Sequence, residues 1–228
     1  MSIREKRHIS KLLESSDIEA VIRELRQLPS SKSLSPLIGS LCSSNETVRW
    51  HAITALGPVV ADLADNDMES ARIVMRRLMW SLNDESGGIG WGAPEAMGEI
   101  MACHDSLAHE YTHVLVAYMR EDGFYLELEQ LQRGLMWGLA RLAKKRPDLL
   151  QAQNAATYLL PYLDSNDSHV RGLAAWTLGL LKAEEATAAL GKLADDRAPV
   201  KIYWNRTLED DTVRGLAQKA LANIAKDS

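Results

Sequence analysis

Apolar and polar positions along this chain follow one template, set out most fully by residues 48–57, VRWHAITALG. With Arg49 as position zero, Val stands at −1, Ala at +3 and +6, Leu at +7 and Gly at +8. The same run, with substitutions, starts again at Ile89-Gly90, Leu131-Gln132, Val170-Arg171 and Val213-Arg214, so the zero positions 49, 90, 132, 171 and 214 are 39–43 residues apart. A repeat of that length built on helical spacing is what stacked helix pairs produce. At about 100° per residue, offsets −1, +3, +7 and +10 share one helix face. They read Val48/Ala52/Leu56/Val59, Ile89/Ala93/Met97/Ile100, Leu131/Leu135/Leu139/Leu142, Val170/Ala174/Leu178/Leu181 and Val213/Ala217/Leu221/Ile224. Every one is apolar, which predicts a buried face on the second helix of each of five pairs.

The elements around these helices follow from caps and breakers. Residues 3–13 and 18–28 read as two short helices, the second capped by Asp17 and ended by Pro29, and residues 1–30 are expected to cap the open end of the stack. First helices are expected at 36–42, 68–82, 107–119, 147–163 and 184–194. Second helices are expected at 48–64, from about Trp91 or Gly92 (Pro94 fits only a first turn), and at 126–145, 169–182 and 212–225. Residues 196–209 break the rhythm with Pro199, Tyr203 and Trp204 and read as an inserted loop or hairpin. No linker divides the chain, so a single domain, 1–228, is expected: an all-α, right-handed α-α superhelix of about five helix pairs.

The D/N-x-x-V-R-x-x-A-x-x-A-L-G pattern, carried best by Asn45 to Gly57 and Asp167 to Gly179, resembles HEAT repeats, and among them the bilin-lyase-like (E-Z type) subclass, over about residues 34–226. The resemblance implies the solenoid fold. Its implications for function diverge, because the architecture serves scaffolds, phycobilin lyases, a metal hydroxylase and an alkylpurine DNA glycosylase.

The opposite face of the second helices, offsets +1 and +5, is where a ligand would sit. It carries Trp50/Thr54, Trp91/Glu95, Arg133/Trp137, Gly172/Trp176 and Gly215/Lys219. Four of the chain's six tryptophans therefore fall on the face turned from the first helices, which in stacked helix pairs is concave. Trp and Arg are enriched in binding hot spots, so the expected partner-binding residues are Trp91, Glu95, Arg133 and Trp137, with Trp50 and Trp176 beside them. Asp84 and Glu85 stand at the rim, in the Gly-rich turn before Trp91. The competing explanation is that the rings only fill gaps between neighbouring helices.

Composition narrows the chemistry. The 228 residues carry a net charge of −5 with no long run of one sign, so nothing marks a polyanion partner, and among the ten +1/+5 positions only Arg133 and Lys219 are cationic. A DNA-wrapping groove needs phosphate-neutralising cations. Glycosylase-like base excision, with Asp84, Glu85 or Glu95 as its carboxylate, is therefore an alternative, as is bilin-lyase-like binding of a tetrapyrrole or its acceptor protein. Residues 109–113 spell HExxH, a two-imidazole zinc pattern, but His109 and His113 fall off the apolar stripe of their helix and no third ligand is at hand. No metal or cofactor is expected. His51 is followed by Ala52, which departs from the His-Glu pairs of the hydroxylase. The two cysteines, Cys42 and Cys103, fit no ligand spacing. With no apolar leader and no stretch fit to span a membrane, a cytoplasmic location is expected. The expectation for function is a non-catalytic scaffold that binds a protein or peptide.

Overall fold

A computed structural model describes residues 3–83 and 89–226, with the side chains of residues 3–6 left aside. Among these residues the chain is helical apart from one hairpin. In order, the helices are α1 (Ile3–Leu13), α2 (Ile18–Gln27), α3 (Ser30–Ser40), α4 (Glu46–Asn66), α5 (Met68–Ser81), α6 (Ala93–Cys103) and α7 (Asp105–Ala117). They continue with α8 (Glu129–Lys145), α9 (Pro147–Ala152), α10 (Ala155–Leu159), α11 (Ser168–Leu180), α12 (Thr187–Lys192) and α13 (Val213–Ala225). Strands β1 (Pro199–Trp204) and β2 (Thr207–Thr212) lie between the last two helices. The all-α class expected from the repeat is what the chain adopts. It divides into two compact units, residues 1–108 and 109–228.

In the first unit α4 is the central element, packed by α2, α3, α5 and α6. The Asn45 side chain accepts from Val48 N and starts α4; Asp67 does the same for α5 through Ser70 N. Both are N-caps that satisfy amides the helix itself leaves unpaired. The apolar face of α4 is buried throughout: Val48, Ala52, Leu56 and Val59 are at most 8% exposed. Gly57, at offset +8, lets α6 come close, since a Cβ there would sit 2.7 Å from Cys103 Sγ and 2.9 Å from Glu99 Cγ. α6 starts at Ala93, later than its repeat-mates, behind Gly92 in the left-handed region at φ 74°. For that reason Ile89, the −1 residue of this repeat, lies outside the helix and is exposed, while Ala93, Met97 and Ile100 are buried.

In the second unit α11 packs against both α8 and α13. Gly179, again at +8, meets the backbone of Ala220, and no side chain would fit between them. The expected first helix 147–163 forms in pieces: α9 ends at Ala152 with Gln153 as its cap, Asn154 turns left-handed at φ 53°, and α10 runs into a 3₁₀ turn, Leu160–Asp164. The 184–194 helix likewise has 3₁₀ turns on both sides of α12. The inserted segment is an antiparallel hairpin with Trp204 opposite Thr207. Its turn residues, Asn205 and Arg206, both have positive φ, 47° and 68°, the two-residue turn whose twist matches that of paired strands.

Candidate functional site

The +1/+5 face of the second unit is occupied by the hairpin. Four residues of β1, Val200, Ile202, Tyr203 and Trp204, are buried, whereas β2 is mostly exposed. Val200 lies against bare Gly172 of α11, where a Cβ would be 3.0 Å from its Cγ2. The Trp137 indole N–H donates to the Tyr203 carbonyl at 2.6 Å, and the ring is 4% exposed. Trp176 meets Trp204 at 5.2 Å between centroids in a tilted pair. Lys219 Nζ stands 5.2 Å from the Trp176 ring and Lys144 Nζ 4.7 Å from that of Trp204. Two rings flanked by two ammonium groups make a compact cation–π stack. The hydroxyl of Ser168 donates to Pro199 O, and Lys144 Nζ to Asn205 Oδ1, which ties both ends of β1 to the helices.

Arg133 is engaged as well. Its Nε donates to Asp167 Oδ2 at 2.8 Å and a second guanidinium nitrogen reaches the same oxygen. Asp167 Oδ1 meanwhile accepts from His169 N and Val170 N, capping α11. Burial raises the Asp167 carboxyl pKa, but the Arg133 hydrogen bond, the Val170 amide and the neighbouring positive charge outweigh it, and the net shift is downward. Asp167 is thus the node that joins α8 to α11, a use of the capping residue that the repeat pattern alone did not disclose.

The first unit treats the same face differently. Trp50 and Trp91 are half-buried, and Thr54 is buried with its hydroxyl donating to Trp50 O at 2.8 Å. Glu95 lies in the first turn of α6, four residues after Trp91. Its Oε2 is sealed from solvent and has no hydrogen-bond partner among the described residues. Burial pushes this carboxyl up to about 7, against the pull of its own backbone N–H and of the Arg49 charge. Such a group can hold or release a proton near neutrality, or pair with a cation brought to it. Asp84 and Glu85 lie outside the described residues.

Elsewhere the chemistry is sparse. His109 and His113 are both exposed on α7, and among the described residues no three His, Cys, Asp or Glu side chains are grouped to hold a metal ion. His51, buried in α4, has its Nδ1 2.8 Å from Leu13 O. Cys103 approaches Glu99 Oε1 at 3.7 Å. No described helix is long and apolar enough to cross a membrane.

Residues 129–181, which hold α8 to α11, match the HEAT-like repeat family. No curated protein matches the chain significantly. Among solved structures, an engineered protein is similar at 22% identity and TM-score 0.56, covering 99% of this chain and 97% of its own. A designed armadillo repeat protein in complex with the peptide (KR)4 is similar at 18% identity and TM-score 0.53, over 95% of this chain and 98% of that one. A karyopherin bound to a SUMO protease is similar at 16% identity and TM-score 0.59, over 94% of this chain but 22% of the karyopherin. At these identities the likeness is one of fold. The chain carries a HEAT-like repeat within an all-α, helical-repeat fold.

Proposed function

We propose that this protein is a non-catalytic scaffold that binds a protein or peptide through the tryptophan-bearing face of its second helices. The observation that carries the proposal is Glu95, a carboxyl whose inner oxygen is sealed and unpartnered. Keeping an unsatisfied buried polar group costs about 1–3 kcal/mol, and a cation brought near the carboxyl would offset part of it by favouring the charged form. Trp91, four residues earlier in the turn that precedes α6, and Trp50 on α4, which packs against α6, are half-buried and keep apolar area to offer. In the second unit the corresponding side chains are used within the chain: Arg133 pairs with Asp167, the Trp137 indole donates to the hairpin, and the Trp176 ring packs on Trp204. Support comes also from what similar folds hold: the designed armadillo protein carries a (KR)4 peptide, and a karyopherin segment belongs to a protein bound to RanGTP. An apolar knob with an adjacent cation is the partner chemistry that suits Trp91 and Glu95.

The test is affinity capture from source cells with the wild-type protein, Trp91→Ala and Glu95→Gln. The expected result is a protein recovered by the wild type and reduced about tenfold or more by Trp91→Ala, as for a binding hot spot, with unchanged circular dichroism. Recovery indifferent to both substitutions would remove the site. In a parallel incubation with alkylated DNA, release of modified bases that depends on Glu95 would replace the scaffold with an enzyme.

A further inference from the structure

The second unit also holds a concavity whose lining includes none of the tryptophans. It is a groove of about 770 Å³ between the turn that follows α7 and the segment from α10 to the start of α11, within the range of about 300–1,000 Å³ usual for ligand sites. Three tyrosines line it: Tyr125, Tyr158 and Tyr162. Two are fixed by other lining residues, since Gln132 Nε2 donates to the Tyr125 hydroxyl at 3.1 Å and the Tyr162 hydroxyl donates to Met119 O at 3.2 Å. Five carboxylates, Glu121, Asp122, Glu127, Glu129 and Asp164, share the lining with a single cation, Arg120.

Arg120 displays the chemistry the groove favours. Its guanidinium lies 5.1 Å from the centroid of Tyr158 and is gripped by both oxygens of Asp122, at 2.9 and 2.7 Å. A planar cation stacked on a ring and forked onto a carboxylate is an arginine mode that lysine does not reproduce. The remaining four carboxylates form no ion pair among the described residues. Beside them in sequence stand exposed apolar side chains, Phe124 at 71% and Leu128 at 50% exposure, with Tyr125 at 39%. A small polycation would leave these uncovered; a peptide would not.

We infer that this groove docks an arginine-containing segment of a partner protein, whose guanidinium groups pair with Glu121, Glu127, Glu129 and Asp164 over the tyrosine lining and whose apolar side chains meet Phe124 and Leu128. This site shares no residue with the one proposed at Trp91 and Glu95 and stands or falls without it.

The test uses fluorescence anisotropy of a fluorescein-labelled hexapeptide alternating leucine and arginine, titrated with the full-length protein. The charge-reversal pair Glu121→Lys/Glu127→Lys lies in an exposed turn outside the helices. The pair Glu184→Lys/Glu185→Lys, exposed elsewhere in the same unit, makes the same change in net charge. The expected result is saturable binding by the wild type, weakened by added salt, and weakened about tenfold or more by the turn pair but little by the control pair. No binding by the wild type, or equal loss in both pairs, would overturn the site. Equal binding of the lysine-for-arginine peptide, or displacement by spermidine at matched charge, would overturn the assignment of an arginine-bearing peptide.

Discussion

Trp137 lies four residues after Arg133 on α8, and both side chains end on partners within the chain. The indole is 4% exposed and its N–H donates to the Tyr203 carbonyl. Truncating it would leave a cavity and an acceptor without its donor, and both effects oppose folding. Trp137→Ala is therefore expected to cost about 3–5 kcal/mol, the range for large aromatic truncations in a core, measured as a shift in the urea midpoint at constant slope. A loss below about 1 kcal/mol, typical of a surface position, would return the ring to the set of contact residues. Trp91 is the contrasting case: half-buried at the entrance of α6, it has surface to offer a partner.

At the scale of elements, the hairpin decides what the second unit's helices expose. β1 turns Val200, Ile202, Tyr203 and Trp204 inward, so α8 and α11 meet a strand on the face where the repeat pattern alone promised an open groove. Replacing residues 200–211 with a short Gly-Ser linker is expected to uncover Trp137 and Trp176. Tryptophan emission would shift to longer wavelength, an apolar dye would bind, and the melting temperature would drop. Unchanged emission would mean that the hairpin covers nothing. The helices were largely legible in the sequence, because five copies of one apolar face reinforce each other and Asp17, the expected cap of α2, accepts from Ala20 N. Less legible were the places where a single residue overrides the period. Asn154, left-handed at φ 53°, breaks an apolar stretch that otherwise reads as one helix. The late start of α6 could be read from Pro94, but the template still counted Ile89 in the buried face, and it is exposed. Residues 198–208 were recognisable as a departure from the repeat, but strand alternation does not say which helices a hairpin will lie on. For the same reason the repeat pattern does not name Asp167 as the partner of Arg133, which is 34 residues away.

Over the whole molecule, two carboxyls shifted in opposite directions should give stability an unusual dependence on pH. Asp167 has its pKa lowered in the folded state, so the stability it contributes is present above its unfolded value of about 3.9 and is lost as pH falls through its folded value. Glu95 has its pKa raised from 4.5 to about 7. Between those values the folded chain holds the proton more firmly than the unfolded chain, so stability declines as pH rises through this window and levels off above it. The full effect is on the order of 3 kcal/mol, since each tenfold gain in proton affinity is worth about 1.4 kcal/mol. Stability measured by urea unfolding from pH 3 to 8 is thus expected to fall on the acid side of about 4 and again from about 5 to 7. Glu95→Gln cannot ionise, so it should abolish the second decline while leaving the acid limb in place, and should exceed the wild type in stability at pH 8. A variant that keeps the wild-type slope between pH 5 and 7 would show that the Glu95 carboxyl is not the group titrating there. It would also deprive the proposed partner site of its buried charge.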